Sequence, residues 1–225
     1  MPKPRLVLAV VGRKGLGKTK VVETLVEGVT ARGYRVSTAK HVPEEGFSLD
    51  TPGKDTWRHA EAGALSVTLV APGEVDTLRR LRVDEIGLDG IIALASLDGP
   101  DVLVMEGFSS LAKARADVFK VVVVSGADEA RKIINEGSVK PVLAFVGPGK
   151  TEGLRPPYIG FHELNVLVEL VEKALLSRTA RRAEKTRLLV GGEEVPLNPF
   201  VGELLRRLVL AFISCLKGVK VKGDE

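Results

Sequence analysis

Residues 12–19 read Gly-Arg-Lys-Gly-Leu-Gly-Lys-Thr, a complete G-x-x-x-x-G-K-[ST], and this octet restricts the fold more than any other stretch of the chain. The motif works only where a strand runs into it and a helix leaves it. Both flanks comply. Arg5–Val11 is an apolar, valine-rich run that reads as a buried strand. From Gly17 to Arg32 the residues Val21, Val22, Leu25, Val26 and Val29 fall on one helical stripe, and Gly33 supplies the stop. Glycines in the loop let successive backbone N–H groups converge on phosphate oxygens, and the helix that follows adds its positive N-terminal dipole. Lys18 is placed to reach β- and γ-phosphates, and the Thr19 hydroxyl to ligate Mg²⁺. Gly12, Arg13, Lys14, Gly15, Leu16, Gly17, Lys18 and Thr19 are the expected nucleotide contacts. Whether Arg13 and Lys14 touch phosphate or stay solvated is open at this level.

Short β-branched runs then alternate with helix-period segments. Strands are expected at Tyr34–Lys40, Leu65–Ala71, Val102–Met105, Val118–Val124 and Val142–Val146, and helices at Trp57–Gly63, Val83–Leu97, Ala127–Asn135 and Leu164–Leu176. Strands apolar on both faces imply a mostly parallel sheet covered on both sides. The expected fold is an α/β three-layer sandwich built on a phosphate-binding loop (P-loop), over residues 1–176. A basic bridge, Ser177–Lys185, separates it from an extension over residues 186–218. There, Gly191–Gly192 marks a hairpin turn. Asn198 and Pro199 open a helix running to about Lys217, with Gly218 as its stop. Its broad apolar face is interrupted by Glu203, Arg206 and Arg207. Such charges are costly in mid-membrane, so a docked or dimer-forming helix is expected.

Composition removes several classes. One cysteine, Cys215, permits no internal disulfide, and three histidines form no helical metal pair. With only 4% aromatic residues there is no aromatic-interleaved basic surface for nucleic acid. The net charge of +4 suits an anionic ligand but is spread along the chain. The N-terminal apolar run is too short to span a bilayer and lacks an A-x-A cleavage site. A cytoplasmic protein without membrane or nucleic-acid partners is expected.

A P-loop needs an acid at the end of a buried strand. Asp101 and Glu106 flank the Val102–Met105 run, roughly 16 Å apart, so they cannot share one ion. Ligands of such sheets sit at the carboxyl ends of the strands. That selects Glu106, with Thr19, for Mg²⁺. The polar segment His41–Thr56 falls where P-loop proteins sense the γ-phosphate. Asp50 and Asp55 there could orient water or hold metal through water, and a solvated loop is the equal alternative.

Together the P-loop, Lys40-His41, the stretch Asp50-Thr51-Pro52-Gly53-Lys54-Asp55, Arg58-His59, Glu61-Ala62-Gly63-Ala64 and Val104-Met105-Glu106-Gly107-Phe108 resemble the MobB family, the molybdopterin-guanine dinucleotide biosynthesis protein B group. The resemblance spans about the first 125 residues. It implies a GTP-binding protein with weak Mg²⁺-dependent GTPase activity, usually a homodimer. Such a protein assists the MobA-type nucleotidyltransferase that attaches GMP to molybdopterin, itself a further expected ligand. On that reading Lys18, Asp50 and Asp55 are the catalytic residues, and Thr19 and Glu106 serve Mg²⁺. Two features depart from the family. Val42-Pro43-Glu44-Glu45 follows the Lys-His pair where members carry further histidines, and no N-K-x-D guanine-reading motif is present. The alternative is an ATP-dependent small-molecule ligase or kinase of the dethiobiotin-synthetase kind.

Overall fold

Leu6, Leu8 and Val10 project to one face of the first strand, and Val7, Ala9 and Val11 to the other; all six are buried. A strand apolar on both faces has to lie between two covering layers. In the computed structural model, which describes residues 3–183 and 188–215, it does. The first half contains β1 (Leu6–Val11), α1 (Lys18–Thr30), β2 (Val36–Lys40), α2 (Asp55–Glu61), β3 (Ser66–Ala71), β4 (Glu74–Arg79), α3 (Val83–Leu94) and β5 (Val102–Glu106). The second half contains α4 (Ser109–Ala112), β6 (Val118–Val123), α5 (Ala127–Glu136), β7 (Val142–Gly147), β8 (Tyr158–Gly160), α6 (Leu164–Ala183), β9 (Leu188–Val190), β10 (Glu193–Val195) and α7 (Pro199–Ser214).

The main sheet has the order β2-β5-β1-β6-β7-β8, parallel throughout. One face of β1 packs with Val21, Leu25 and Val29 of α1 and Leu167, Val168 and Val171 of α6. The other packs with Leu88 and Ile92 of α3, Ala112 of α4 and Ala130 of α5. This is the three-layer α/β sandwich expected. The helices α1 and α6 meet closely at Gly28, where a Cβ would lie 2.7 Å from a Val168 methyl.

Several elements depart from the sequence reading. The expected third strand, Leu65–Ala71, is outside the main sheet: β3 pairs antiparallel with β4 in a separate hairpin. Its partner, Glu-Val-Asp-Thr-Leu-Arg, is largely polar and exposed, so no hydrophobic run announces it. Strand β8 is three residues long and follows Pro156-Pro157, too short for a periodic signal. Helix α6 continues across residue 176 to Ala183, so the basic bridge is helical at its start. Arginine is a good helix former. Arg178 is also held in place, its guanidinium 4.9 Å from the Phe119 ring centroid and donating to the Arg5 carbonyl at 3.3 Å.

Helix α3 is interrupted at Gly87 and ends at Leu94, short of the expected Leu97. Further on, the hairpin β9–β10 turns at Gly191–Gly192 with φ of 62° and 90°, the type I′ geometry that two adjacent glycines favour. The Asn198 side chain accepts from the Val201 N–H at 2.8 Å to cap α7, which packs on α6. The expected last turn to Lys217 and the Gly218 stop lie outside the described residues. Among the described residues no helix is long and apolar enough to cross a membrane.

Candidate phosphate and cation site

The P-loop opens at the carboxyl end of β1, wedged against β6. A Cβ on Gly12 would sit 2.3 Å from the Val123 carbonyl oxygen, so the first loop residue has to lack a side chain. At the other end Gly17, with φ of 88° in the left-handed region, is the N-cap of α1 and lies against the Phe161 ring. No side chain caps α1 and no acid stands in its first turn. Its first N–H groups and its dipole are thus left for an anion. Lys18 Nζ donates to the Arg13 carbonyl at 2.7 Å, folding the amine over the loop.

The sheet register brings the remaining polar groups together. Glu106 is the last residue of β5 and pairs with Val10 of β1 on one side and Lys40 of β2 on the other. Thr19 Oγ1 donates to Glu106 Oε1 at 3.1 Å, and Lys40 Nζ stands 3.9 Å from the same oxygen. The Glu106 side chain is only 13% exposed. The His41 N–H donates to the Glu106 carbonyl at 2.9 Å, which ties the ends of β2 and β5 together.

A hydroxyl and a carboxylate converging beside a phosphate loop fit a hard cation. Mg²⁺ takes one or two protein oxygens, with substrate phosphates and water completing the shell. Among the described residues no group of three or more His, Cys, Asp or Glu could hold a metal, and a Mg²⁺–phosphate site needs none. Asp101, the rejected acid, lies at the opposite end of the sheet. It pairs there with Arg5 at 3.3 Å and accepts from the Arg35 N–H at 3.0 Å.

A cavity of about 1100 Å³ extends from this point. Gly12, Lys14, Gly15, Gly17, Lys18, Thr19 and Glu106 line it, as do Lys40, His41, Phe47, Leu49, Ser109 and Ser110. Arg13 and Leu16 are not in that lining: Arg13 pairs with Glu129 at 3.6 Å, and Leu16 packs against the core.

Neither Asp50 nor Asp55 lines the cavity. Asp50 Oδ1 accepts from the Thr51 N–H at 2.9 Å and from Thr56 Oγ1 at 2.8 Å, closing the turn that leads into α2. Asp55, 90% exposed, stands in the first turn of α2 near Arg58. Sequence reasoning passed over Phe47, Ser109 and Ser110. The serines directly follow Gly107-Phe108, just past the end of β5 at Glu106.

Glu129 fixes the outer side of the loop. Its carboxylate accepts from both the N–H and the Oγ of Ser125, at 2.8 and 2.7 Å. These bonds, with Arg13 and Lys132 nearby, hold its pKa below the usual carboxylate range. The group is more acidic in the folded chain, so the unfolded chain binds more protons in the window between the two pKa values. Its contribution to stability is present above the ordinary carboxylate pKa of about 4.3 and is lost as pH falls through the lower folded value. In Glu129→Gln the acid limb of a Tm-against-pH curve is expected to be shallower than in the wild type. An unchanged limb would mean that this anchor carries no linkage.

A phosphate loop off the central strand, with an acid ending the strand beside it, defines the P-loop nucleotide-binding proteins, and this chain has that fold and site. Residues 7–136 match the family model described as molybdopterin guanine dinucleotide synthesis protein B, MobB. The chain belongs to that family. A relative from Methanocaldococcus jannaschii, described as a molybdopterin-guanine dinucleotide biosynthesis adapter protein, is 25% identical over 95% of this chain and 92% of its own length. The Escherichia coli adapter protein is 31% identical over 50% of this chain and 65% of its own.

A crystal structure of molybdopterin-guanine biosynthesis protein B superposes with a TM-score of 0.58 at 25% identity, covering 76% of this chain and 99% of that one. For Bacillus subtilis MobB the TM-score is 0.55 at 26% identity, over 75% and 97%. The M. jannaschii relative thus spans nearly the whole chain, while about a quarter of it has no counterpart in these structures.

Proposed function

We propose that this chain is a cytoplasmic GTP-binding accessory protein in molybdenum or tungsten cofactor biosynthesis, assisting a MobA-type nucleotidyltransferase that joins GMP to molybdopterin. The family and the names of its relatives support the pathway. The contact between Thr19 and Glu106 at the mouth of the P-loop carries the nucleotide reading. Lys18 and the α1 N-terminus would hold the β- and γ-phosphates, while Thr19 and Glu106 would hold Mg²⁺. When bound, that ion neutralises charge building on the terminal phosphates. Any GTPase activity is weak on this reading. Lys18 acts on phosphate directly, whereas Asp50 and Asp55 stand outside the cavity lining.

Calorimetric titration with non-hydrolysable GTP and ATP analogues, with and without Mg²⁺, tests the assignment. A clear GTP preference supports it. Equal or ATP-preferred binding moves the weight to the small-molecule ligase or kinase reading. Glu106→Gln is expected to weaken Mg²⁺-dependent binding by roughly 10- to 150-fold, the scale of losing one charge-assisted contact of about 1.5–3 kcal/mol, and to leave Mg²⁺-free binding nearly unchanged. Equal losses in both would remove Glu106 from the cation.

A homodimer is part of the same reading, supported by the β3–β4 hairpin. The hairpin packs on one side against α2, with Val67 buried, and still exposes Leu69, Val70 and Val75; a two-stranded hairpin is marginal in water without further cover. Val70→Lys with Val75→Lys, paired directly across the strands, is expected to shift sedimentation from dimer to monomer. A dimer that persists would place the contact elsewhere.

A further inference from the structure

Helix α7 is apolar on more than one side. Val201, Leu205, Leu210 and Ile213 are half-buried, and the helix packs on α6. Phe200, Leu204, Leu208 and Phe212 form a separate stripe, 45 to 74% exposed. A helix that is apolar all round is normally covered all round, and this stripe is not covered by any described residue. Residues 216–225, which follow α7, offer only Leu216, Val219 and Val221 as apolar groups, set among lysines and glycines. Residues 184–187, Glu-Lys-Thr-Arg, offer none.

The stripe is also self-complementary. Its members recur every fourth residue, and their order, Phe-Leu-Leu-Phe, reads the same in both directions about the level of Arg206. Two copies of α7 laid antiparallel about a two-fold axis at that level set each Phe200 beside Phe212 of the other copy, and each Leu204 beside Leu208. A two-fold interface requires this reciprocity, and rows of every fourth residue are the ridges that most often interdigitate between helices. Charge does not oppose the pairing. Arg206 lies about 200° around the helix from Leu204, and Arg207, at the edge of the stripe, is held by Glu203 of its own helix at 2.8 Å. The four side chains offer on the order of 500 Å² per copy, about 1,000 Å² for a pair, which is the lower limit of a specific interface.

We propose that the exposed stripe of α7 is a docking surface for the same stripe of a second copy of this chain, held antiparallel. The contact goes beyond the reading above and does not depend on it: α7 packs on α6, whereas the β3–β4 hairpin packs on α2. Its small area makes it a weak contact, formed as protein concentration rises.

The test is sedimentation of the full chain carrying Val70→Lys with Val75→Lys, so that the hairpin contact is absent, over rising concentration. Pairing is expected to return. Adding Leu204→Lys with Leu208→Lys should raise its midpoint concentration by about tenfold or more, the scale of losing a central interface contact. Those two side chains face solvent, and an unchanged circular dichroism spectrum checks the fold. The register is read in Cys215→Ser chains carrying either Phe200→Cys or Phe212→Cys, treated with a short bis-maleimide linker. A mixture of the two should link, and neither alone, because like positions stand about 18 Å apart along the axis. Linking of each variant to itself as readily as to the other, or association unmoved by the lysines, overturns the proposal. Loss of binding to anionic phospholipid vesicles in the lysine variant, with association unchanged, also overturns it and makes the stripe a membrane-facing one. If the hairpin variant stays paired at every dilution, the hairpin reading fails, and the lysines and the linker still decide α7.

Discussion

Lys18→Ala is expected to cut affinity for a nucleoside triphosphate by roughly 10- to 150-fold, from the loss of one charge-assisted contact of about 1.5–3 kcal/mol. The argument is geometric. Lys18 is the first residue of α1, and its amine already lies over the loop through the Arg13 carbonyl. Exchange of that carbonyl for phosphate oxygens needs only movement of the side-chain end. The backbone N–H groups remain in the variant, so weak binding through the loop and helix N-terminus should persist. Isothermal titration with GTP, and with inorganic triphosphate as a base-free control, reads both terms. Equal affinity in wild type and variant would sink the P-loop assignment.

Gly12→Ala should damage the fold as well as the site. The added methyl would stand 2.3 Å from the Val123 carbonyl oxygen, which is backbone of the neighbouring strand, and Gly12 has φ of 148°. Overpacking costs about 1–3 kcal/mol and an unfavourable backbone region about 1–3 kcal/mol more, so a loss of roughly 2–6 kcal/mol is expected. Part of it falls on the β1–β6 junction and part on the loop. Chemical denaturation gives the total, and nucleotide titration on whatever remains folded shows whether the loop has opened. A variant as stable as the wild type would mean that the loop relaxes freely at this position. Gly15→Ala is the control: φ is 84° there, but no atom lies within 4 Å of the added methyl, so only the backbone strain should be felt.

Much of this site is legible in the chain because local rules write it. The octet at 12–19 needs a strand before it and a helix after it, and both are there. The polarity of a parallel sheet decides between Asp101 and Glu106, and the structure puts Glu106 at Thr19 and Asp101 at the far end. The double-glycine turn of β9–β10 and the asparagine cap of α7 are likewise local chemistry, read directly from a few adjacent residues.

Partnership over long distances is not written that way. Leu65–Ala71 reads as a strand and is one, but nothing in its own residues says that it pairs with polar Glu74–Arg79 and stays out of the main sheet. Asp50 reads in the sequence either as an acid of the γ-phosphate-sensing segment or as part of a solvated loop, and in the fold its carboxylate closes a turn with Thr51 and Thr56. Lys40 stands beside Glu106 because β2 and β5 pair in one particular register. A cavity shared by Phe47, Ser109 and Ser110 exists only once two loops from different strand ends face each other. By itself the sequence determined the phosphate loop, the alternating layers and the acid that faces the loop, because each follows from the periodicity or chemistry of neighbouring residues. The tertiary structure alone decided strand order, register and the shape of the cavity beside the phosphate loop, because these depend on which distant surfaces bury one another.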